Sequence, residues 1–552
     1  MFKRILIGML ILVAGGPWVS GGGMVVAQER LAAEVGAQVL REGGTAVDAA
    51  VATAFALAVT HPLAGNLGGG GFLLHRPAKG QPDFLDFREQ APAAAYPRMF
   101  LKDGVYDAKL HHDSLLAVGV PGSVAGLHEA WKRHGRLPWA RLLQPAVALA
   151  RKGFPVTPTL AASLARVLPK MAPHAPTLAQ FSRDGKPIRA WETLRQPELA
   201  RTLARLAKEG PRDFYAGETA RLLVAEMQRG GGIITAADLK AYKVRERTPL
   251  VGSYRGFEVL AAPPPSSGGV VLLEVLNQLE GYDLKAMGPL SPAFAHHAAE
   301  AMRRAYADRA RWIGDPDFVR DLPVARLTSK EYAAELRKTI RPDRASASSP
   351  ARFEWTKESS ETTHLSVVDR HGNAVSLTTT LEDSYGVKRI VPGAGFLLNN
   401  EMGDFNAGPG LTDATGLIGT EVNLAQPGKR MLSSMCPVVV AKKGRPLLVA
   451  GSPGGRTIPN TVLRVVLNVL DFDMDAQAAV DAPRLHQQWL PDRIQMEDGP
   501  WAPELRRGLE GLGHTVDLVR SQGVAQAILL RDGRPQGGAD YRRWAESWAA
   551  SE

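Results

Sequence analysis

The sequence predicts an α+β fold, a single compact unit in which helices dominate the first two thirds and strands become denser toward the C-terminus. Three observations carry this. Helical spacing of apolar residues runs through Leu31–Leu40 and Ala46–Val59 and through most of the stretch from Val120 to Ile340. Apolar alternation marks strands at Phe72–His75, at Leu365 and Val367, and at Ala374–Leu381, Val438–Ala441 and Leu447–Ala450. Neither a repeat nor a long low-complexity linker divides the chain, although its 552 residues would allow more than one domain.

The individual elements follow from local chemistry. The break Arg41-Glu42-Gly43-Gly44 separates the first two helices. His61 to Gly71 is a glycine-dense loop entering a strand, and Pro263-Pro264-Pro265-Ser266-Ser267-Gly268-Gly269 is a rigid turn running into a helix. Arg341 to Glu361 is polar, rich in Ser and Pro and unpatterned, so it reads as an exposed loop ending on Thr362. The hairpin Thr363–Asp369 and Asn373–Leu381 has a turn at Arg370-His371-Gly372. A three-residue loop sets Asp369 against Asn373 and Thr362 against Thr380; a two-residue loop shifts this by one.

The N-terminus carries Lys3 and Arg4, then the apolar run Ile5–Ala14 and a small-residue stretch to Gly22. This is the layout of an export signal, residues 1–22, and the run is too short to span a bilayer comfortably. An uncleaved anchor is the alternative. Cleavage after Ala27 would remove an apolar strand at Met24–Ala27.

Composition narrows the function classes. The net charge is +10, but Lys and Arg form no dense block interleaved with aromatics, which argues against nucleic-acid binding. The single cysteine, Cys436, forbids an intrachain disulfide. No metal motif appears: there is no H-E-x-x-H, and the adjacent pairs His111-His112 and His296-His297 do not share a face. Gly68–Gly71 is not followed by Lys and Ser or Thr, so it is no phosphate loop. A G-x-S-x-G elbow is absent too.

Threonine remains. Its hydroxyl is a weak nucleophile unless a base lies beside it, and a free α-amine on the same residue is such a base. Thr362, at a loop-to-strand junction, acquires one if the chain is cut after Glu361. From the residues alone, a threonine-rich strand pair is the blander alternative.

Nine separated motifs then coincide: EGGTAVDAAVA (42–52), HPLAGNLGGGGF (61–72), DFREQAP (86–92), PPPSSGG (263–269), TTHLSVVD (362–369), LLNNEMGDF (397–405), KRMLSSMCP (429–437), GSPGG (451–455) and APRLHQQWLPD (482–492). Together they resemble the γ-glutamyltranspeptidase (glutathione hydrolase) family of N-terminal-nucleophile hydrolases from about Gly23 onward. The resemblance implies a four-layer αββα sandwich and a precursor that cuts itself into a large subunit, residues 23–361, and a small subunit, 362–552. Thr362 is then the nucleophile and Thr380 its support. Arg88 binds a substrate α-carboxylate, Ser433 and Ser434 add hydroxyl donors, and Glu401 and Asp404 hold the α-ammonium. Gly454 and Gly455 offer backbone N–H groups to the oxyanion. The donors implied are glutathione and other γ-glutamyl compounds, and the acceptors are water, amino acids or dipeptides. The chemistry needs no cofactor and no metal.

The chain departs from the family pattern at three positions. Glu382 stands where Asn is common and is expected to bind the ammonium while crowding a third carboxyl into the site. Thr415 replaces a gating aromatic in a lid-like segment, Pro409–Gly419, which favours hydrolysis over transfer. Tyr541 stands where Pro is usual, and nothing in the sequence explains it. The competing readings are a glutaryl or cephalosporin acylase-like amidase of the same superfamily and an unprocessed, inactive envelope protein.

Overall fold

The computed structural model describes residues 22–349, 361–411, 419–542 and 546–552. Nearly all of the signal segment, residues 350–360 of the loop before Thr362, and lid residues 412–418 with Thr415 lie outside the described residues.

Two antiparallel sheets form the centre. The seven-stranded sheet has the order Arg245–Arg247, Asp83–Phe87, Gly70–Arg76, Ala374–Glu382, Glu361–Val368, Met24–Ala27, Trp548–Ser551. The six-stranded sheet runs Leu250–Tyr254, Phe257–Ala261, Val438–Lys442, Arg445–Gly451, Gln526–Arg531, Arg534–Ala539. Strands from the first half of the chain thus contribute more than the expected C-terminal enrichment allowed. Arg245–Arg247 and Phe257–Ala261 are short strands inside a mostly helical stretch, and long-range pairing completes what local pattern hardly signals.

The strands alternate between two cores. Val25, Ala27, Leu365, Val367, Val375 and Leu377 face a helical layer that includes Arg30–Arg41 and Ala46–Thr60. Met24, Val26, Val368 and Ala374 face the second sheet, whose far side packs on Gly268–Leu279, Pro292–Trp312 and Ile458–Leu470. Helix, sheet, sheet, helix is the four-layer αββα arrangement. A strand buried on both faces loses the polar half of its alternation, which is why Ala374–Glu382 is buried throughout.

The Met24–Ala27 strand is interior to its sheet, paired with both Glu361–Val368 and Trp548–Ser551. The Gly23 N–H donates to Glu552 Oε2 at 2.7 Å. The N-terminus of the described chain is therefore built into the fold beside the strand that begins at Glu361.

Candidate active site

The hairpin around Thr362 uses the three-residue loop. Val368 pairs with Ala374 and Thr363 with Thr379 in one continuous register, and Asp369 N–H donates to Asn373 O at 3.0 Å. Gly372 takes φ 87°, a left-handed conformation that glycine adopts without strain. The register then breaks. Glu361 pairs with Glu382, so the strand bulges between Glu361 and Thr363 and lifts Thr362 out of the ladder. The direct opposition of Thr362 and Thr380 is thus corrected to a bulge. Extra local backbone re-aims a side chain, and both threonines line one cavity.

Thr380 is fixed from behind. Asn66 Nδ2 donates to Thr380 O at 2.9 Å, and Asn66 Oδ1 accepts from Gly69 N–H at 3.1 Å. A Cβ on Gly69 would stand 2.0 Å from Thr380 O, so only glycine permits this approach. The glycine-dense loop is therefore a backbone brace for the strand carrying Thr380. The Thr380 hydroxyl accepts from Glu382 N–H at 2.8 Å, leaving its own hydrogen to be donated elsewhere.

The cavity is small and is lined by Arg88, Thr362, Thr380, Glu382, Glu401, Asp404, Ser433, Ser434, Met435, Gly455 and Ile458. Arg88 is fully buried at the end of the Asp83–Phe87 strand. Its fork donates to Glu401 Oε1 and to Asp404 Oδ2, and Nη2 also reaches Leu432 O at 3.2 Å. The groups expected to bind opposite ends of a zwitterion therefore bind each other. Burial alone would lower the Arg88 pKa, but Glu401, Asp404 and Glu89 outweigh it and hold the guanidinium charged.

The carboxyls differ from ordinary ones. Burial pushes Glu401 well up against the pull of Arg88, with Glu89 pushing the same way. Glu382 is raised by burial and then by Asp383, Asp404 and Glu401, with Lys388 opposing. It also takes φ 75°, which costs a non-glycine residue about 1–3 kcal/mol. Glu382 Oε1 lies 3.3 Å from His112 Nδ1.

Ser433 and Ser434 are held by the PPPSSGG turn. Ser433 N–H donates to Pro265 O at 2.9 Å, and Ser267 N–H donates to Ser433 O at 2.7 Å. Arg309, from the Pro292–Trp312 helix, donates to Ser267 Oγ at 2.8 Å and to Ser434 Oγ at 3.1 Å. Gly455 also lines the cavity, while Gly454, its neighbour in sequence, takes φ 134°. A Cβ there would meet Thr457 Oγ1 at 2.6 Å. The pair precedes the Ile458–Leu470 helix, whose N-terminal dipole favours negative charge.

Sequence reasoning missed several supporting residues. Glu89 follows Arg88 and is fully buried, with burial raising its pKa to about 7. His111 donates from Nε2 to Met402 O at 3.1 Å, and Asn400 Nδ2 donates to His112 O at 3.2 Å. The His111-His112 pair, weighed only as metal ligands, thus braces the segment carrying Glu401. Its adjacency was visible, but its partner 291 residues away was not. Arg309 sits in an unremarkable helical pattern and gave no signal.

Fold and site together define an N-terminal-nucleophile hydrolase. A cephalosporin acylase from Bacillus halodurans has a closely similar structure, with a TM-score of 0.85 and 28% identity, covering 100% of this chain and 99% of its own. A γ-glutamyltranspeptidase chain from Helicobacter pylori matches at TM-score 0.56 and 43% identity, covering 57% of this chain and 91% of that one. The family model described as gamma-glutamyltranspeptidase matches residues 32–550, and the chain belongs to that family. It is 46% identical over 528 residues to the glutathione hydrolase proenzyme of Escherichia coli (strain K12), covering 94% of this chain and 90% of the relative. It is also 38% identical to an acylase proenzyme of Pseudomonas sp. (strain SE83), covering 94% and 92%.

Proposed function

We propose that the chain is a self-processing γ-glutamyltransferase and glutathione hydrolase, in which Thr362 is first the processing nucleophile and then the catalytic one. The observation that carries this is the convergence of Thr362, Thr380, Arg88 and three carboxyls on one small cavity. In processing, Thr362 Oγ attacks the Glu361 carbonyl and the amide becomes an ester, which frees the Thr362 α-amine; water then cleaves the ester and releases the Glu361 carboxylate and the Thr362 hydroxyl. The subunits are then 23–361 and 362–552.

In turnover that α-amine takes the Thr362 hydroxyl proton as Oγ attacks the γ-glutamyl carbonyl. The oxyanion forms toward the Gly454 and Gly455 N–H groups. The tetrahedral intermediate collapses, the leaving amine takes the proton, and a γ-glutamyl ester on Thr362 remains. Water releases glutamate, while an amino acid or dipeptide amine gives a new γ-glutamyl product.

The paired Arg88, Glu401 and Asp404 suggest how a zwitterion is recognised. An α-carboxylate takes the Arg88 fork, and an α-ammonium takes the carboxylates it leaves. The incoming carboxylate and ammonium take over the internal pairing of Arg88 with Glu401 and Asp404, so neither the guanidinium nor the carboxyls are left without a partner. Ser433 and Ser434 add hydroxyls to the carboxylate, and Glu382 stands beside the ammonium. Water is the favoured acceptor.

Export fits the N-terminal pattern, with signal removal ahead of Gly23, since Met24–Ala27 is an interior strand. Among the described residues no helix is long and apolar enough to cross a membrane.

A glutaryl acylase is the competing activity, given the structural likeness to the B. halodurans enzyme. A glutaryl donor has no ammonium to satisfy Glu382, Glu401 and Asp404. The test is expression of the whole chain, a denaturing gel, N-terminal sequencing, and parallel rates on a γ-glutamyl anilide and a glutaryl amide. Two fragments, the smaller starting TTHLS, and a preference for the γ-glutamyl donor are expected. One uncut band without activity would sink the proposal, and faster glutaryl cleavage would make the enzyme an acylase.

A further inference from the structure

Away from the cavity, three potential ligands converge from three separate elements. His75 lies on the Gly70–Arg76 strand, Asp83 on the neighbouring strand as its cross-strand partner, and His134 at the end of the Ser123–His134 helix. His75 Nδ1 is 2.9 Å from Asp83 Oδ1, and His134 Nε2 is 2.9 Å from Asp83 Oδ2. The imidazole rings stand 4.2 Å apart between centroids. One ligand atom from each residue can be chosen so that all lie within 4.8 Å of one another.

We propose that His75, Asp83 and His134 form a binding site for a divalent transition metal of the Zn²⁺ class. Two imidazole nitrogens and a carboxylate are a donor set that such ions favour. Ligand atoms bonded at about 2 Å to one tetrahedral ion stand about 3.3 Å apart, and one ligand atom from each of the three residues already lies within 4.8 Å of the others. Loading asks the Asp83 carboxylate, whose two oxygens face one imidazole each, to turn and the imidazoles to draw in around one ion. The metal takes the place of the protons that the imidazoles share with Asp83.

The surroundings suit a cation. His134 closes its helix, where the dipole favours positive charge. The adjacent Arg133 is engaged by Glu129 at 2.8 Å and Glu246 at 2.9 Å, which limits its repulsion of an ion. Thr45 Oγ1 donates to His134 O at 3.0 Å and fixes the helix end. His75 is buried, while Asp83 and His134 are partly exposed, so solvent can supply the fourth ligand.

Spacing alone concealed this cluster. The histidines are far apart in sequence, and only sheet pairing and the packing of one helix end bring them to Asp83. The site would tie that helix to the strand leading directly into Arg88, independently of the chemistry at Thr362.

The test uses the full chain without a polyhistidine tag, stripped with chelator and titrated calorimetrically with Zn²⁺. Co²⁺ absorption serves as a second readout. One equivalent should bind with Kd of about 10 μM or tighter, with visible Co²⁺ bands of a nitrogen and oxygen site. His75→Gln and the partly exposed His134→Gln should each weaken binding at least about 30-fold. Their far-ultraviolet circular dichroism should match that of the parent, which separates ligand loss from misfolding. Binding no tighter than about 1 mM, or binding that folded variants of both histidines retain, would overturn the site.

Discussion

Two buried polar regions lie on the same hairpin and differ in how they are satisfied. Between the sheets, His364 Nδ1 lies 2.8 Å from Thr378 Oγ1, and Nε2 lies 3.1 Å from Ser366 Oγ. Ser366 Oγ donates to Gln526 O at 3.2 Å, and Ser376 Oγ donates to Ala450 O at 3.0 Å while accepting from Val438 N–H at 3.1 Å. At the strand ends, by contrast, Glu382 Oε2 has no hydrogen-bond partner among the described residues, while Glu89 is held by its ion pair with Arg88, 3.7 Å away. A completed network fixes one packing, whereas incomplete groups hold capacity for something that arrives. The seam positions the hairpin, while the carboxyls at the strand ends are held by burial and charge.

The comparison can be broken most severely at the nucleophile. Thr362→Ala should give a single uncut chain and at least about a 10³-fold loss of γ-glutamyl hydrolysis, a fall of roughly 4 kcal/mol or more in transition-state stabilisation. Thr362→Ser should still cut itself. If the alanine variant turns over at the parent rate, the chemistry lies elsewhere. Next, Arg88→Lys removes the fork from a buried charge cluster, where an unpaired charge costs about 3–5 kcal/mol. KM for a γ-glutamyl anilide should rise about 10²-fold, and an unchanged KM would remove Arg88 from carboxylate binding.

Glu89 sharpens the contrast through pH. Its carboxyl rises from 4.5 to about 7 on folding, mainly through burial. A raised carboxyl means that the native state holds more protons than the unfolded one between these values. Its favourable contribution is present below about 4.5 and is lost as pH climbs through 7. Glu89→Gln should therefore stabilise the protein at pH 8 by up to about 3 kcal/mol and change little at pH 4. Denaturant melts at both pH values check this, and equal effects at the two would contradict it.

The seam predicts the opposite behaviour. Ser376→Ala should cost about 1–3 kcal/mol, because Val438 N–H and Ala450 O lose their partner. That cost should be insensitive to pH between 5 and 8, since burial holds the imidazole of the seam, His364, neutral with a pKa of about 3. A steep pH dependence would mean that the seam titrates.

The smallest effect is expected at Glu382. Glu382→Asn should preserve hydrolysis but remove the alkaline improvement in KM that comes as the raised carboxyl ionises. His112→Gln should move that limb to higher pH, by removing the imidazole 3.3 Å away. Superimposable pH profiles for parent and both variants would deny Glu382 a role at the ammonium. Asp383, Asp404, Glu401, Lys388 and Tyr106 also face this carboxyl and remain in both variants.

Much of this was legible in advance, for reasons tied to range. Strand alternation and turn length depend on neighbours, so Arg370-His371-Gly372 narrowed the register from Thr363 to Val368 to two choices, of which the fold takes the three-residue loop. The motifs around Arg88, Glu401 and Ser433 marked which residues meet, but not that Arg88 clasps Glu401 and Asp404. The bulge at Thr362 was hidden because the strand residues themselves favour continuous pairing.

The sequence by itself determined the α+β class, the hairpin, the threonine able to gain its own base, and the family of motifs around it. These follow from local periodicity, turn geometry and residue chemistry, which need no knowledge of the rest of the chain. Only the tertiary structure decided the bulge, the internal pairing of Arg88, the raised carboxyls, the bracing by Asn66, His111 and Arg309, and the meeting of His75 with Asp83 and His134. Each depends on burial or on contacts between distant segments. The free energy of a buried charge is set by everything that replaces water around it, and that is fixed only when the layers close.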